Sequence, residues 1–297
     1  MEGLQQFAKG IAEESPIHRL DPRTKIALLT VFSLLVVLFE AAEPLLLLLG
    51  MVLIAHFIAG ASSSRLRMLL LIILLSAWGT IFSQALFYAA RPRTILLTIV
   101  PEGFPVLGSL TGGIRLYREG FQYGLVQSLR LSSMLSLGLL VSWTTQPGTL
   151  LLGLSRLGMP YGLSFMAATA FRFLPVTLSE ASTVLTAERL RGARLFHRGG
   201  WVNVRLFLRI LRPIFANAIQ RSTTLAHSIL VRGFDPREER TRLKELRLRS
   251  SDRVVLGLLF FGLGFVAGAK ILFWLWAEGL FYASWLRPLY AFTRRYL

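Results

Sequence analysis

Long apolar runs separated by short charged clusters fill the first half of the chain and return at its end. Ile26 to Phe39 is apolar between Lys25 and Glu40. Pro44 to Ser64 has no formal charge apart from titratable His56, and its opening proline suits the first turn of a helix. Met68 to Ala90 is uncharged, Phe121 to Thr145 is broken only by Arg130, and Val254 to Tyr282 encloses Lys270 and Glu278. A hydrocarbon core about 30 Å thick takes about 20 helical residues. The pattern therefore predicts five membrane spans, the first of them short, with flanking charges that snorkel to the interfaces. Residues 91–120 interrupt the series with Pro92, Pro101, Pro105 and the Gly112-Gly113 pair. Within them, Ile95 to Val100 reads as a short strand and Pro101-Glu-Gly103 as a turn, which predicts a small hairpin.

The pattern changes after the fourth run. Thr144-Thr-Gln-Pro147 ends that span, and a short amphipathic stretch, Leu150 to Leu157, is closed by Gly158-Met-Pro160. A helix is then predicted from Tyr161 to about Gly192, apolar in its first half and polar in its second. Pro175 is expected to kink it, since a mid-helix proline removes one backbone hydrogen bond. The favoured reading is a helix packed beneath the membrane; a sixth span over 161–178 is the alternative. A further helix is predicted from about Val202 to Val231, about 45 Å long at 1.5 Å per residue, with Pro213 expected to kink or split it. Arg205, Arg209 and Arg212 fall on one face of it. Gly233 is placed to take the left-handed position after its last turn, and Pro236 forbids continuation.

Composition agrees with a membrane protein carrying a substantial polar part. Of 297 residues, 54% are apolar and only 16% charged, against about 25% charged in soluble domains. Cysteine is absent, which removes disulfides, thiolate nucleophiles and thiolate metal sites. The net charge is +17, and residues 145–253 hold 18 of the 33 basic and 7 of the 16 acidic residues, or +11 of that total. Such a segment between spans points to anionic lipid or an acidic protein surface rather than nucleic acid. Basic residues near the span ends (Lys9, Arg19, Arg23 and Lys25; Arg65 and Arg67; the eighteen in 145–253) put these segments on one side, the cytoplasmic one. Arg287, Arg294 and Arg295 then lie on the opposite side, where they fit the rule poorly. The first 20 residues carry Glu2, Lys9, Glu13, Glu14 and Arg19 and do not read as a signal peptide.

Catalytic signatures are missing. His18, His56, His197 and His227 form no metal-ligating doublet, and neither G-x-S-x-G nor a G-x-x-x-x-G-K-[ST] phosphate loop occurs. The chain is expected to be non-catalytic, with no cofactor and no metal. Arg130 is the one cation inside the fourth run; in lipid it should face the bundle and meet a partner, more simply a structural one than a transported ion.

Arg191 and Arg232, 41 positions apart, each precede a glycine at the end of a predicted helix. A single arginine there complements the helix dipole by about 0.3–1 kcal/mol. That effect explains one arginine, not necessarily two in matching settings, and the planar guanidinium suits bidentate pairing with a carboxylate.

These features together resemble the transmembrane T component of energy-coupling factor (ECF) transporters, the family that includes the cobalt-importer transmembrane subunit. An opening motif appears as His18-Arg-Leu-Asp-Pro-Arg-Thr-Lys25, holding Asp21, Pro22 and Lys25. Thr144 to Pro147 and Arg172-Phe-Leu-Pro175 supply two further pieces. The family's two Ala-Arg-Gly motifs are matched by Leu190-Arg191-Gly192 and by Val231-Arg232-Gly233 with Phe234 after it, leucine and valine standing in place of the alanines. A tail follows, Arg240 to Leu246.

The resemblance implies an all-α integral membrane protein with about five transmembrane helices and a cytoplasmic coupling domain of long crossed helices. Its divisions would be residues 1–145, 146–253 and 254–297. It further implies a multi-pass protein of the cytoplasmic membrane that binds two ABC ATPase subunits and a substrate-capturing S component, with ATP and Mg held by the ATPases. The cargo would be a vitamin or a transition-metal ion such as cobalt or nickel. Arg191 and Arg232 with their neighbours would dock to the ATPases; Asp21, Pro22, Lys25, Arg130, Arg172 and Pro175 would be structural. A conventional ABC permease with its own translocation path is the rival reading, and an enzyme acting on lipid phosphate is a more distant one.

Overall fold

A computed structural model describes residues 15–89, 94–100, 114–192, 200–233, 248–280 and 284–297, with the side chains of 99, 100, 114 and 200–206 left aside. Two compact units divide the chain: one contains Ile11–Gln146 and Arg247–Leu297, the other Pro147–Leu246.

In the first unit, α1 (Pro22–Leu38) starts where Asp21 accepts a hydrogen bond from the Arg23 amide (2.8 Å) and Pro22 occupies the first turn. Helices α2 (Ala42–Ile58) and α3 (Ser63–Phe87) follow. Strands β1 (Ile95–Val100) and β2 (Ile114–Tyr117) pair antiparallel, so the expected hairpin forms. The turn expected at Pro101-Glu-Gly103 lies outside the described residues. Glu119 staples the hairpin, accepting from the Thr94 amide (2.9 Å) and from the Thr94 hydroxyl. Helix α4 (Arg118–Thr144) then crosses back. After the second unit come α8 (Ser250–Ala277), a short 3₁₀ turn (Ser284–Leu286) and α9 (Arg287–Tyr296).

Helix α4 is the hub, packing against α1, α2 and α3, while α8 packs against α1. Among its buried residues, Gly120, Gly124, Ser128, Ser132 and Ser136 recur every fourth position. That spacing keeps a narrow stripe of small side chains on one face. The glycines let α3 approach closely: a Cβ on Gly120 would stand 2.5 Å from the Gln84 carbonyl oxygen, and one on Gly124 2.8 Å from Ile81 Cα. Ser76 and Ser132 hydroxyls meet across the same seam at 3.1 Å. Small residues and hydroxyl contacts are what bring helices together in lipid, where apolar burial alone supplies little. The apolar core lies where α1, α2, α4 and α8 converge, on Val36, Leu45, Val52, Leu137 and Val266.

Ser63–Phe87, Arg118–Thr144 and Ser250–Ala277 are long and apolar enough to cross a membrane. Helices α1 and α2 have 17 residues each, about 26 Å, and are short for the hydrocarbon thickness, as the first run already suggested. In the second unit, α5 (Pro147–Arg156), α6 (Tyr161–Leu190) and α7 (Gly200–Val231) follow one another. The helix runs on through Pro175 in α6 and through Pro213 in α7, so neither proline splits its helix. By length and composition α6 also qualifies as a span, the alternative weighed for 161–178.

Candidate functional site: the paired long helices and the buried clasps

Helices α6 and α7 run antiparallel. Glu180 of α6 forms an ion pair with Arg221 of α7. Further toward the end of α6, Glu188, Arg191 and Gly192 share a cavity of about 770 Å³ with Leu208, Arg209 and Arg212 of α7. In the other direction, Phe173 lines a second cavity, of about 610 Å³, with Asn217, Gln220, Thr224, Leu225 and Ser228. Residue numbers fall on one helix as they rise on the other.

Both helices end in the same local geometry. The Gly192 amide donates to the Arg189 carbonyl (3.0 Å), and the Gly233 amide to the Leu230 carbonyl (3.0 Å). Gly192 has φ 83° and Gly233 φ 67°, left-handed values that glycine adopts without a Cβ penalty. The residue before each arginine is almost fully exposed, Leu190 at 85% and Val231 at 88%. Arg191 and Arg232 are themselves exposed, Arg191 with a loose 3.5 Å pairing to Glu188. Arg191 lies level with Arg209 and Arg212, and Arg232 lies 20 or more residues further along α7, about 30 Å away at 1.5 Å per residue. The antiparallel pair thus carries two separated tips, each with an exposed aliphatic side chain, a guanidinium and a bare glycine. Arg172 and Pro175 lie on α6, both exposed. The side chain of Arg205, and the segments holding Phe234 and Arg240 to Leu246, lie outside the described residues.

Asp21, Pro22, Thr24 and Lys25 of the opening motif are buried elsewhere, in the first unit. Lys25 is 2% exposed. Its ammonium donates to the Thr144 carbonyl (3.0 Å), the Thr145 hydroxyl (2.9 Å), the Thr144 hydroxyl (3.4 Å) and the His18 carbonyl (3.5 Å). It sits on the C-terminal end of α4, where unpaired carbonyls and the helix dipole favour a cation. The Asp21 amide donates to the Asp252 carboxylate (2.9 Å), whose other oxygen accepts from the Arg249 amide (2.8 Å) and so caps α8. One clasp thereby ties the start of α1 to the end of α4 and the start of α8.

A second clasp lies at the other end of α1. Arg130 donates to the Val36 carbonyl (3.1 Å), the Phe39 carbonyl (2.9 Å) and the Gln127 side chain (3.2 Å). Lys270 donates to the Leu38 carbonyl (3.2 Å), to Glu40 (2.9 Å) and to the main-chain oxygen of Leu297 (2.9 Å). A helix that stops short of the interface leaves carbonyls where water is scarce, and each unsatisfied one is costly. Arg130 and Lys270 supply donors to these carbonyls. Asp252 and Lys270 were not singled out by the sequence. An acidic residue three positions after Arg249, in a basic stretch that leads into an apolar run, and a lone lysine within that run, were the available signals.

A bundle of apolar helices knit by cations on backbone carbonyls, joined in sequence to a pair of long helices with exposed arginine tips, is the architecture of an all-α membrane protein. The description "cobalt transport protein" (CbiQ) matches residues 13–243. The chain is 28% identical over 274 residues to the energy-coupling factor transporter transmembrane protein EcfT of Bacillus selenitireducens, covering 86% of this chain and 92% of that one. It is 31% identical to EcfT of Thermanaerovibrio acidaminovorans, covering 84% and 90%, and 31% identical to EcfT of Acidaminococcus fermentans, covering 88% and 93%. The chain belongs to the CbiQ family and is a T component of an ECF transporter.

Proposed function

We propose that this chain couples two ATPase subunits to an S component during uptake of a vitamin or a transition-metal ion. The observation that carries the proposal is the pair of matching helix tips. Each offers one guanidinium for a carboxylate-lined groove, an aliphatic side chain for the apolar wall of that groove, and a glycine that admits a partner backbone. Their separation of about 30 Å along α7 suits one groove on each of two ATPases. ATP and Mg stay in those subunits, and this chain supplies neither acid, base nor metal ligand to the hydrolysis. The +11 segment faces the cytoplasm, and the bundle stands in the cytoplasmic membrane. Motion of the ATPases moves α6 and α7, whose exposed apolar faces (Phe171 and Leu174; Phe215 and Ile219) hold the S component and the membrane surface. Specificity for the cargo belongs to the S component.

The test is charge reversal. Arg191→Glu and Arg232→Glu each remove a charge-assisted contact worth about 1.5–3 kcal/mol, so ATPase affinity should fall about tenfold to a hundredfold. Membrane insertion should be unchanged, because both side chains are exposed. Co-purification of tagged ATPases and substrate uptake by cells would be measured. Normal uptake by the double variant would end the proposal.

A further inference from the structure

Helix α9 folds back on the end of α8. Tyr290, only 5% exposed, stacks on Trp276 at 5.2 Å between centroids and 13° between planes. Lys270 holds the Leu297 main-chain oxygen. Arg295 reaches toward Glu43 at 3.9 Å and lies over the ring of Tyr296. The helix is anchored at both ends, at the end of the bundle where α1 stops and remote from the Lys25 clasp.

The exposed side of α9 is not spread evenly. Arg287, Ala291, Arg294 and Arg295 stand at i, i+4, i+7 and i+8, one helical face. With Trp276 and Tyr290 they line a cavity of about 560 Å³. Ala291 sits between the arginines and leaves the space open. The Tyr290 hydroxyl is buried and has no hydrogen-bond partner among the described residues, one donor not yet met. Trp274, Trp285 and Phe292 are exposed on the same part of the chain, and tryptophan and tyrosine at this level mark the membrane–water interface.

We infer that the α9 cavity, with Arg287, Arg294 and Arg295 over a floor of Trp276 and Tyr290, binds the phosphodiester headgroup of an anionic phospholipid. The guanidinium forks match the two non-bridging oxygens of a phosphodiester in geometry. The aromatic floor meets the glycerol and upper acyl region, which a free phosphate does not possess. A short basic helix lying against an aromatic belt is the form that anchors to an anionic bilayer surface. Under the orientation proposed above, bound anionic lipid also offsets part of the positive charge of three arginines that the positive-inside pattern leaves on the wrong side.

The purified full-length protein is delipidated in detergent and titrated with phosphatidylglycerol, with phosphatidylcholine and with inorganic phosphate, bound lipid being read by native mass spectrometry. Phosphatidylglycerol should bind at least about tenfold more tightly than phosphatidylcholine, three arginines near a surface each contributing severalfold. R287Q/R294Q/R295Q should lose that preference, and R287K/R294K/R295K should keep most of it. In the unaltered protein, a headgroup-photoreactive phosphatidylglycerol should crosslink within 276–295, a result that does not depend on any variant folding. Equal binding of the two lipids, crosslinks confined to other segments, or full competition by inorganic phosphate would each overturn the lipid site.

Discussion

Lys25 and Arg130 answer the same problem at opposite ends of the bundle. A helix end inside a membrane protein leaves carbonyls that must find donors within the protein; Lys25 takes the Thr144 carbonyl at the end of α4, and Arg130 those of Val36 and Phe39 at the end of α1. Deleting the donor strands buried acceptors, which costs about 1–3 kcal/mol. Lys25→Met should therefore lower the unfolding free energy by roughly 2 kcal/mol, read from the midpoint of a sodium dodecyl sulfate titration in mixed micelles. An unchanged midpoint would remove the clasp as a source of stability. Uptake defects in this variant should track the amount of folded protein, whereas those of Arg191→Glu should not. Asp21, Pro22 and Lys25 were readable as a motif. Thr144 and Thr145 were readable as another motif piece, but their pairing with Lys25, and that of Asp252 with Asp21, were not, because the partners lie 119 to 231 positions apart.

At the scale of elements, the small-residue stripe of α4 sets how closely α3 can lie. Gly120→Ala and Gly124→Ala each place a Cβ inside 3.0 Å of α3 backbone, so the helices must part at a cost of about 1–3 kcal/mol. Gly138, with nothing within 4 Å of a built Cβ, is the internal control: Gly138→Ala should be neutral or stabilise by up to about 1 kcal/mol, from helix propensity alone. Thermal unfolding in detergent, compared across the three variants, checks the contrast; equal shifts would mean that the seam is not tightly packed. The hairpin at 95–117 was legible from its β-branched run, and the long helices from their apolar runs. Pro213 does not split its helix, which runs 32 residues, because one missing hydrogen bond leaves the rest of the backbone ladder in place.

For the whole molecule, the proposed orientation requires the hairpin and the basic segment to lie on opposite sides of the membrane. The chain has no cysteine, so single cysteines can be introduced without background. Thr98→Cys and Glu245→Cys should react with a membrane-impermeant maleimide from opposite sides of sealed vesicles. Same-side reaction would overturn the span count. The length and apolar content of α6 give this test its force: as a sixth span it would reverse the side on which residue 245 emerges.

Periodicity, charge and a handful of ordered motifs determine from sequence that this is a helical membrane protein of the T-component kind. Each of those signals is local: an apolar run, a proline at a helix start, an arginine beside a glycine. Tertiary structure alone decided which carbonyls Lys25, Arg130 and Lys270 serve, that α6 and α7 pair antiparallel so that their tips stand apart, and that α9 folds back to make a basic cavity. Those outcomes depend on contacts between residues distant in the chain, whose energies register only once the helices have packed and the polar groups between them have had to find one another.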